Sequence, residues 1–136
     1  METSCGVVLA NLGTILLLQY PQGHWDFPKG HVEESDPTPR ATVRRELAEE
    51  TGITDIEFVD GFMDRSEYSY RHKGKLCKKQ VLWFLAETET ITVDISHEHR
   101  GHMWLEWDHA EEQITHDASL AVLKAARAHM RALGRE

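Results

Sequence analysis

The sequence predicts an α/β fold, a mixed sheet with helices packed against it. Two short runs of Val, Ile and Leu divided by a tight turn open the chain, and a capped helical segment follows a proline-rich loop. The middle is then β-rich and the end carries an alanine-rich helical pattern. At 136 residues, with 40% hydrophobic content, residues 1–136 are expected to form a single domain around one core.

Taken in order, Gly6 to Ala10 and Thr14 to Tyr20 read as strands joined through Asn11-Leu12-Gly13. Pro21 to Pro39 holds all four prolines and reads as an extended loop, a place where sites are commonly built. Thr38 is placed to cap the next helix, with Pro39 at its first position, where the missing N–H costs no hydrogen bond. That helix runs from about 39 to 51, stops at Gly52, and buries Val43 and Leu47. Ile56 to Met63, Glu67 to His72 and Leu76 to Glu87 read as strands, the last two closed by Lys73-Gly74-Lys75. Further strands are predicted at Ile91 to Ile95 and His102 to Trp107, a short helix at 108 to 114, and a final helix from Asp117 to Leu133.

The formal net charge is −8, which argues against a stable nucleic-acid partner, because such proteins neutralise phosphates with an excess of lysine and arginine. The charge is uneven. Arg71, Lys73, Lys75, Lys78 and Lys79 lie in one acid-free stretch, which suits either a polyphosphate contact or a solubilising hairpin tip. Cys5 and Cys77 form no spaced cluster, so two reduced, packing cysteines are expected. No apolar run approaches the roughly 18 residues of a membrane span, and the start has no basic segment. A cytoplasmic protein, a monomer or weak dimer with no membrane partner, is the expectation.

Within the predicted helix, Glu46, Glu49 and Glu50 fall inside about 100° of the axis, because residues three and four apart share a face. Three such carboxylates repel one another unless water or a cation screens them. Hard oxygen donors suit Mg²⁺ or Mn²⁺ better than zinc. Taken alone, the cluster reads more readily as a solvated acidic face, with Arg45 supporting the helix.

The residues around it change that balance. Gly30, Asp36 and Arg45-Glu46-Leu47-Ala48-Glu49-Glu50-Thr51-Gly52-Ile53 resemble the Nudix box, the signature of hydrolases acting on nucleoside diphosphates linked to another group. The nine-residue half matches throughout. The first half departs from the pattern: Asp36 stands where Glu is expected, and eight residues rather than seven separate it from Arg45. The extra residue falls among Pro37, Thr38 and Pro39, ahead of the helix, so Asp36, Glu34 and Glu33 all remain candidates to steady the arginine. His24-Trp25-Asp26-Phe27-Pro28-Lys29-Gly30-His31-Val32 and Ser96-His97-Glu98-His99 are further similar to stretches of the asymmetric diadenosine tetraphosphate hydrolases.

The resemblance implies a Nudix fold, a mixed sheet sandwiched between helices (α/β/α). It implies hydrolysis of diadenosine tetraphosphate to ATP and AMP by attack of water on phosphorus, with Mg²⁺ or Mn²⁺ held by Glu46, Glu50, Glu98 and the Gly30 carbonyl. Glu46, Glu49 and Arg45 are the implied catalytic group. Glu46 is favoured as the base, with Glu49 and Glu98 left open. Lys29, His31 and Lys79 are expected to contact phosphate and Tyr70 to stack on adenine, although sheet packing alone would also account for Tyr68 and Tyr70. Other Nudix reactions share the box, on 5′-triphosphate RNA, diphosphoinositol polyphosphates or damaged nucleotides. A non-catalytic nucleotide sensor is the alternative from another class. His97, His99 and His102 offer a competing zinc site, weakened by the lack of a cysteine partner or helical i, i+4 spacing.

Overall fold

A computed structural model describes residues 1–136. The two aliphatic runs become β1 (Glu2–Asn11) and β2 (Thr14–Gln19), paired antiparallel across the turn. β1 starts earlier than its aliphatic stretch because β7 (Lys75–Thr88) runs parallel to it from Glu2 opposite Lys79 to Ala10 opposite Glu87. The proline-rich loop is more ordered than predicted. It contains β3 (Trp25–Asp26), which pairs with β2, and β4 (Lys29–His31), which pairs with β1. β5 (Ile56–Phe58) and β6 (Asp64–His72) pair antiparallel with β7, and β8 (Gly101–Glu106) with β2, completing a mixed eight-stranded sheet.

Two predicted strands need correction. The segment beginning at Ile56 leaves the sheet after Phe58: the Val59 N–H still donates to the Leu85 carbonyl, and the chain turns through Asp60 and Gly61. Ile91 to Ile95 forms no strand. Its Asp94 N–H donates to the Thr51 carbonyl at the end of a helix, Trp104 Nε1 donates to the Ile91 carbonyl, and Val93 and Ile95 pack on the core, so the segment is held by partners outside the sheet.

α1 (Pro39–Thr51) begins as predicted: the Thr38 hydroxyl accepts from the Ala41 N–H, and Pro39 opens the helix. Gly52 ends it in the left-handed region at φ 77°, where a side chain would be strained, and its N–H donates to the Ala48 carbonyl. α2 (Trp107–Gln113) and α3 (Asp117–Ala132) follow β8.

Alternation along the strands sends side chains to opposite faces. Cys5, Val7 and Leu9 of β1 join Leu16, Leu18, Phe84 and Ala86 against Val43 and Leu47 of α1. Val8 and Ala10 join Ile15, Leu17, Trp83 and Leu85 against Val122, Leu123, Ala126 and Met130 of α3. The sheet is thus sandwiched between helices. No helix is long and apolar enough to cross a membrane.

Candidate active site

Sheet register and helix phase together build one cleft. Gly30 in the middle of β4 faces α1, and a Cβ built on it would lie 2.0 Å from Cδ of Glu46. Only glycine lets that carboxylate lie against the strand. Lys29 and His31 fall on the other face of β4, opposite Gly6 and Ser4 of β1. β4 pairs only with β1, and all three of its residues line the cleft.

The space is about 570 Å³ and is lined by Lys29, Gly30, His31, Glu46, Glu49, Glu50, Lys79 and Glu98, among other residues. Every predicted metal and phosphate residue therefore borders it. Glu98 comes from far along the chain. The loop carrying it is stitched to α1 by the Ser96 N–H donating to the Glu50 carbonyl, while the Arg100 N–H donates to the Gln19 carbonyl. Those two bonds fix where the segment 96 to 100 lies.

Arg45 organises the acidic wall, with its side chain 21% exposed. Its Nε and Nη2 donate to the two oxygens of Asp36 at 3.0 Å each. Nη1 donates to Glu46 Oε1 at 2.8 Å and to Glu49 at 3.4 Å, and Nη2 also donates to the His31 carbonyl at 2.8 Å. The bidentate contact identifies Asp36 as the main acidic partner, with Glu33 a longer ion pair at 3.5 Å. The Arg45 hydrogen bonds hold the Asp36 carboxyl well below the usual carboxylate range.

Glu50 lies deeper. It is only 4% exposed, and its Oε2 is buried without a hydrogen-bond partner. Burial first, then the charges of Glu46 and Glu98, push its carboxyl up to about 9. Glu46 is also raised, by burial, against the opposing pull of Arg45. An orphaned buried carboxylate oxygen beside other carboxylates fits a hard divalent cation. The acidic residues do not form a compact three-ligand cage. Mg²⁺ does not require one, because it keeps several waters and commonly takes one or two carboxylates plus substrate phosphates.

The zinc alternative is not supported. His99 is buried with its ring edge on Tyr20 at 4.7 Å, while His97 and His102 are exposed, and the three do not gather as ligands. Tyr70 lies outside the cleft lining: its hydroxyl donates to Glu2 Oε2 at 2.8 Å, and its ring is 6.3 Å from that of Tyr68.

Sequence reasoning missed three contributors. Glu2 pairs with His31 at 2.9 Å. Tyr20 donates to the Phe27 carbonyl at 2.6 Å and stacks on His24 at 4.8 Å, fixing the floor beneath Lys29. Asp26, almost wholly buried, holds Lys29 through a 3.5 Å ion pair. Asp26 carried a local signal, three residues before a lysine in the site loop. Glu2 and Tyr20 depend on contacts between strands and carried none.

The NUDIX domain family model matches residues 2–125. Over 96 residues the chain is 38% identical to the asymmetrical bis(5′-nucleosyl)-tetraphosphatase of Mus musculus, covering 66% of this chain and 62% of that protein. Over 103 residues it is 41% identical to the corresponding Sus scrofa protein, covering 70% and 65%. The chain thus spans somewhat less than two thirds of the length of these curated relatives. A C. elegans Ap4A hydrolase binary complex superposes with a TM-score of 0.81 at 27% identity, over 97% of this chain and 99% of that one.

Proposed function

This chain belongs to the NUDIX domain family, and we propose that it is a Mg²⁺-dependent hydrolase that cleaves diadenosine tetraphosphate to ATP and AMP. One observation carries the reading: Glu50, with its unpartnered buried oxygen, shares one cleft with Lys29, His31 and Lys79. Acidic and cationic walls in a single cleft suit a polyphosphate bound together with a divalent cation. The 38% and 41% identities to asymmetrical bis(5′-nucleosyl)-tetraphosphatases favour the dinucleotide among nucleoside polyphosphates. In this reading residues 1–136 act as one catalytic domain.

Glu46, Glu50, Glu98 and the Gly30 carbonyl would hold Mg²⁺, or Mn²⁺ in its place. The bound cation supplies neutralisation of phosphate charge and a more acidic water. Lys29, His31 and Lys79 hold the phosphates, with Lys29 itself steadied by Asp26 and by the Tyr20 and Trp83 rings, each 5.9 Å away. Glu46 accepts the proton of the attacking water. Arg45 donates to its Oε1 and so fixes the orientation of the carboxylate, while burial raises its basicity. Glu49, tethered by the same guanidinium, supports this arrangement, and Tyr70 stacks on adenine.

Incubation with Mg²⁺ and a panel of dinucleoside polyphosphates, 5′-triphosphate RNA, diphosphoinositol polyphosphates and nucleoside triphosphates tests the assignment. Diadenosine tetraphosphate should be preferred and yield ATP and AMP, with label from ¹⁸O-water entering one product at phosphorus. Equal, slow hydrolysis of the whole panel would refute the dinucleotide assignment.

A further inference from the structure

Glu2 is the first residue of β1, and its carboxylate reaches two other strands. Oε1 lies 2.9 Å from Nδ1 of His31 on β4, and Oε2 accepts from the Tyr70 hydroxyl on β6 at 2.8 Å. In the parallel register Glu2 stands opposite Lys79 of β7. One carboxylate therefore pairs with His31, stands in register with Lys79 and accepts from the tyrosine beyond them, and the first two of these residues line the cleft. The Tyr70 hydroxyl, His31 and Lys79 hold this carboxyl below its ordinary range, so it is an anion at neutral pH.

We propose that Glu2 is a specificity-determining residue that ends the phosphate track, disfavouring substrates whose polyphosphate chain extends past His31 and Lys79. The inference rests on the polyphosphate hydrolase reading above. A phosphate running beyond His31 and Lys79 meets the Glu2 carboxylate, which already pairs with His31 and stands in register with Lys79. A chain that ends at these two residues avoids the conflict. With its side chain 42% exposed, Glu2 acts through solvent-screened charge, so the effect is modest and depends on salt. A purely structural pin for the start of β1 would act through the hydrogen bonds, irrespective of substrate length.

Glu2→Gln keeps the shape and an acceptor for Tyr70 while removing the charge, and Glu2→Asp restores charge on a shorter stem. KM should be measured for diadenosine tri-, tetra-, penta- and hexaphosphate at low and high salt. Glu2→Gln should lower KM for the penta- and hexaphosphates about threefold relative to the shorter two, an electrostatic effect of the size expected at an exposed site. The difference should vanish near 1 M salt, and Glu2→Asp should behave like the parent. A KM change equal at every length, one that survives high salt, or none at all would overturn the proposal. Calorimetric binding of inorganic polyphosphates of matching lengths separates the two claims. Tighter binding of long chains by Glu2→Gln upholds the charge stop even if the parent hydrolyses no dinucleotide.

Discussion

Arg45 and Asp36 form a two-pronged contact, Nε to Oδ1 and Nη2 to Oδ2, both at 3.0 Å. The same guanidinium reaches Glu46, Glu49 and the His31 carbonyl, so the pair ties the loop before α1 to the helix and to β4. Asp36 also accepts from the Thr42 hydroxyl at 2.8 Å and from the Glu33 N–H at 2.9 Å. Asp36, one methylene shorter than the Glu of the pattern, thus still reaches the guanidinium with both oxygens.

Asp36→Ala should therefore lower kcat/KM about 10- to 100-fold, the usual cost of removing a partner that orients a ligand-bearing group. Asp36→Glu should retain more activity than Asp36→Ala. Asp36 titrates below its ordinary value when folded, so it contributes stability at neutral pH that is lost as pH falls through its folded value. Acid unfolding curves should show Asp36→Asn losing part of that acid-side dependence, and an unchanged kcat/KM in Asp36→Ala would rule out the bracing role.

Glu50 gives the opposite sign. Its carboxyl is raised to about 9 when folded, against about 4.3 for an exposed glutamate. The metal-free protein should lose stability as pH rises between those values, by at most about 1.4 kcal/mol per pH unit from this group. Glu50→Gln should flatten that slope and remove Mg²⁺-dependent turnover. In the parent, Mg²⁺ binding near pH 7 should release about one proton, because the ligand must be ionised to bind. Calorimetry in buffers of different ionisation enthalpy reads this directly, and zero proton release would count against Glu50 as a ligand.

Gly30→Ala places a methyl group within 2.0 to 2.3 Å of the Glu46 carboxylate atoms. The expected result is a fall in activity as the flexible end of Glu46 is pushed aside, with a stability loss of only about 1 kcal/mol. Paired thermal unfolding and kinetics check both, and wild-type activity in Gly30→Ala would show that Glu46 is free to move without consequence.

Tyr70 sits beside Tyr68 on β6 with its hydroxyl held by Glu2. Tyr70→Ala should weaken dinucleotide binding by about 1 to 3 kcal/mol if the ring stacks on a base, whereas Tyr70→Phe should keep most of the affinity. Equal losses in the two variants would assign the contribution to the hydroxyl and its Glu2 contact instead.

Much of this was legible along the chain. Thr38, Pro39 and Gly52 mark the ends of α1 because capping is local chemistry. The acidic stripe follows from helical periodicity, and the match from Gly30 to Ile53 points to its chemistry. The β3 and β4 strands were hidden because two- and three-residue strands have too few side chains to show an alternating pattern. Ile91 to Ile95 has strand composition, yet its backbone found partners at the end of α1.

The sequence by itself determined the helix that carries Glu46, Glu49 and Glu50, the glycine it needs nearby, and the family to which the chain belongs. Those depend on periodicity, caps and spacing within about twenty residues. Only the tertiary structure decided that Asp36 rather than Glu33 or Glu34 is Arg45's main partner, that the Ser96 to Glu50 bond brings Glu98 to the cleft, and that Glu2 stands between His31 and Tyr70. Each of these turns on which loop folds back and which strands become neighbours. Sheet register and burial set those distances, and neither is encoded in the spacing of residues along the chain.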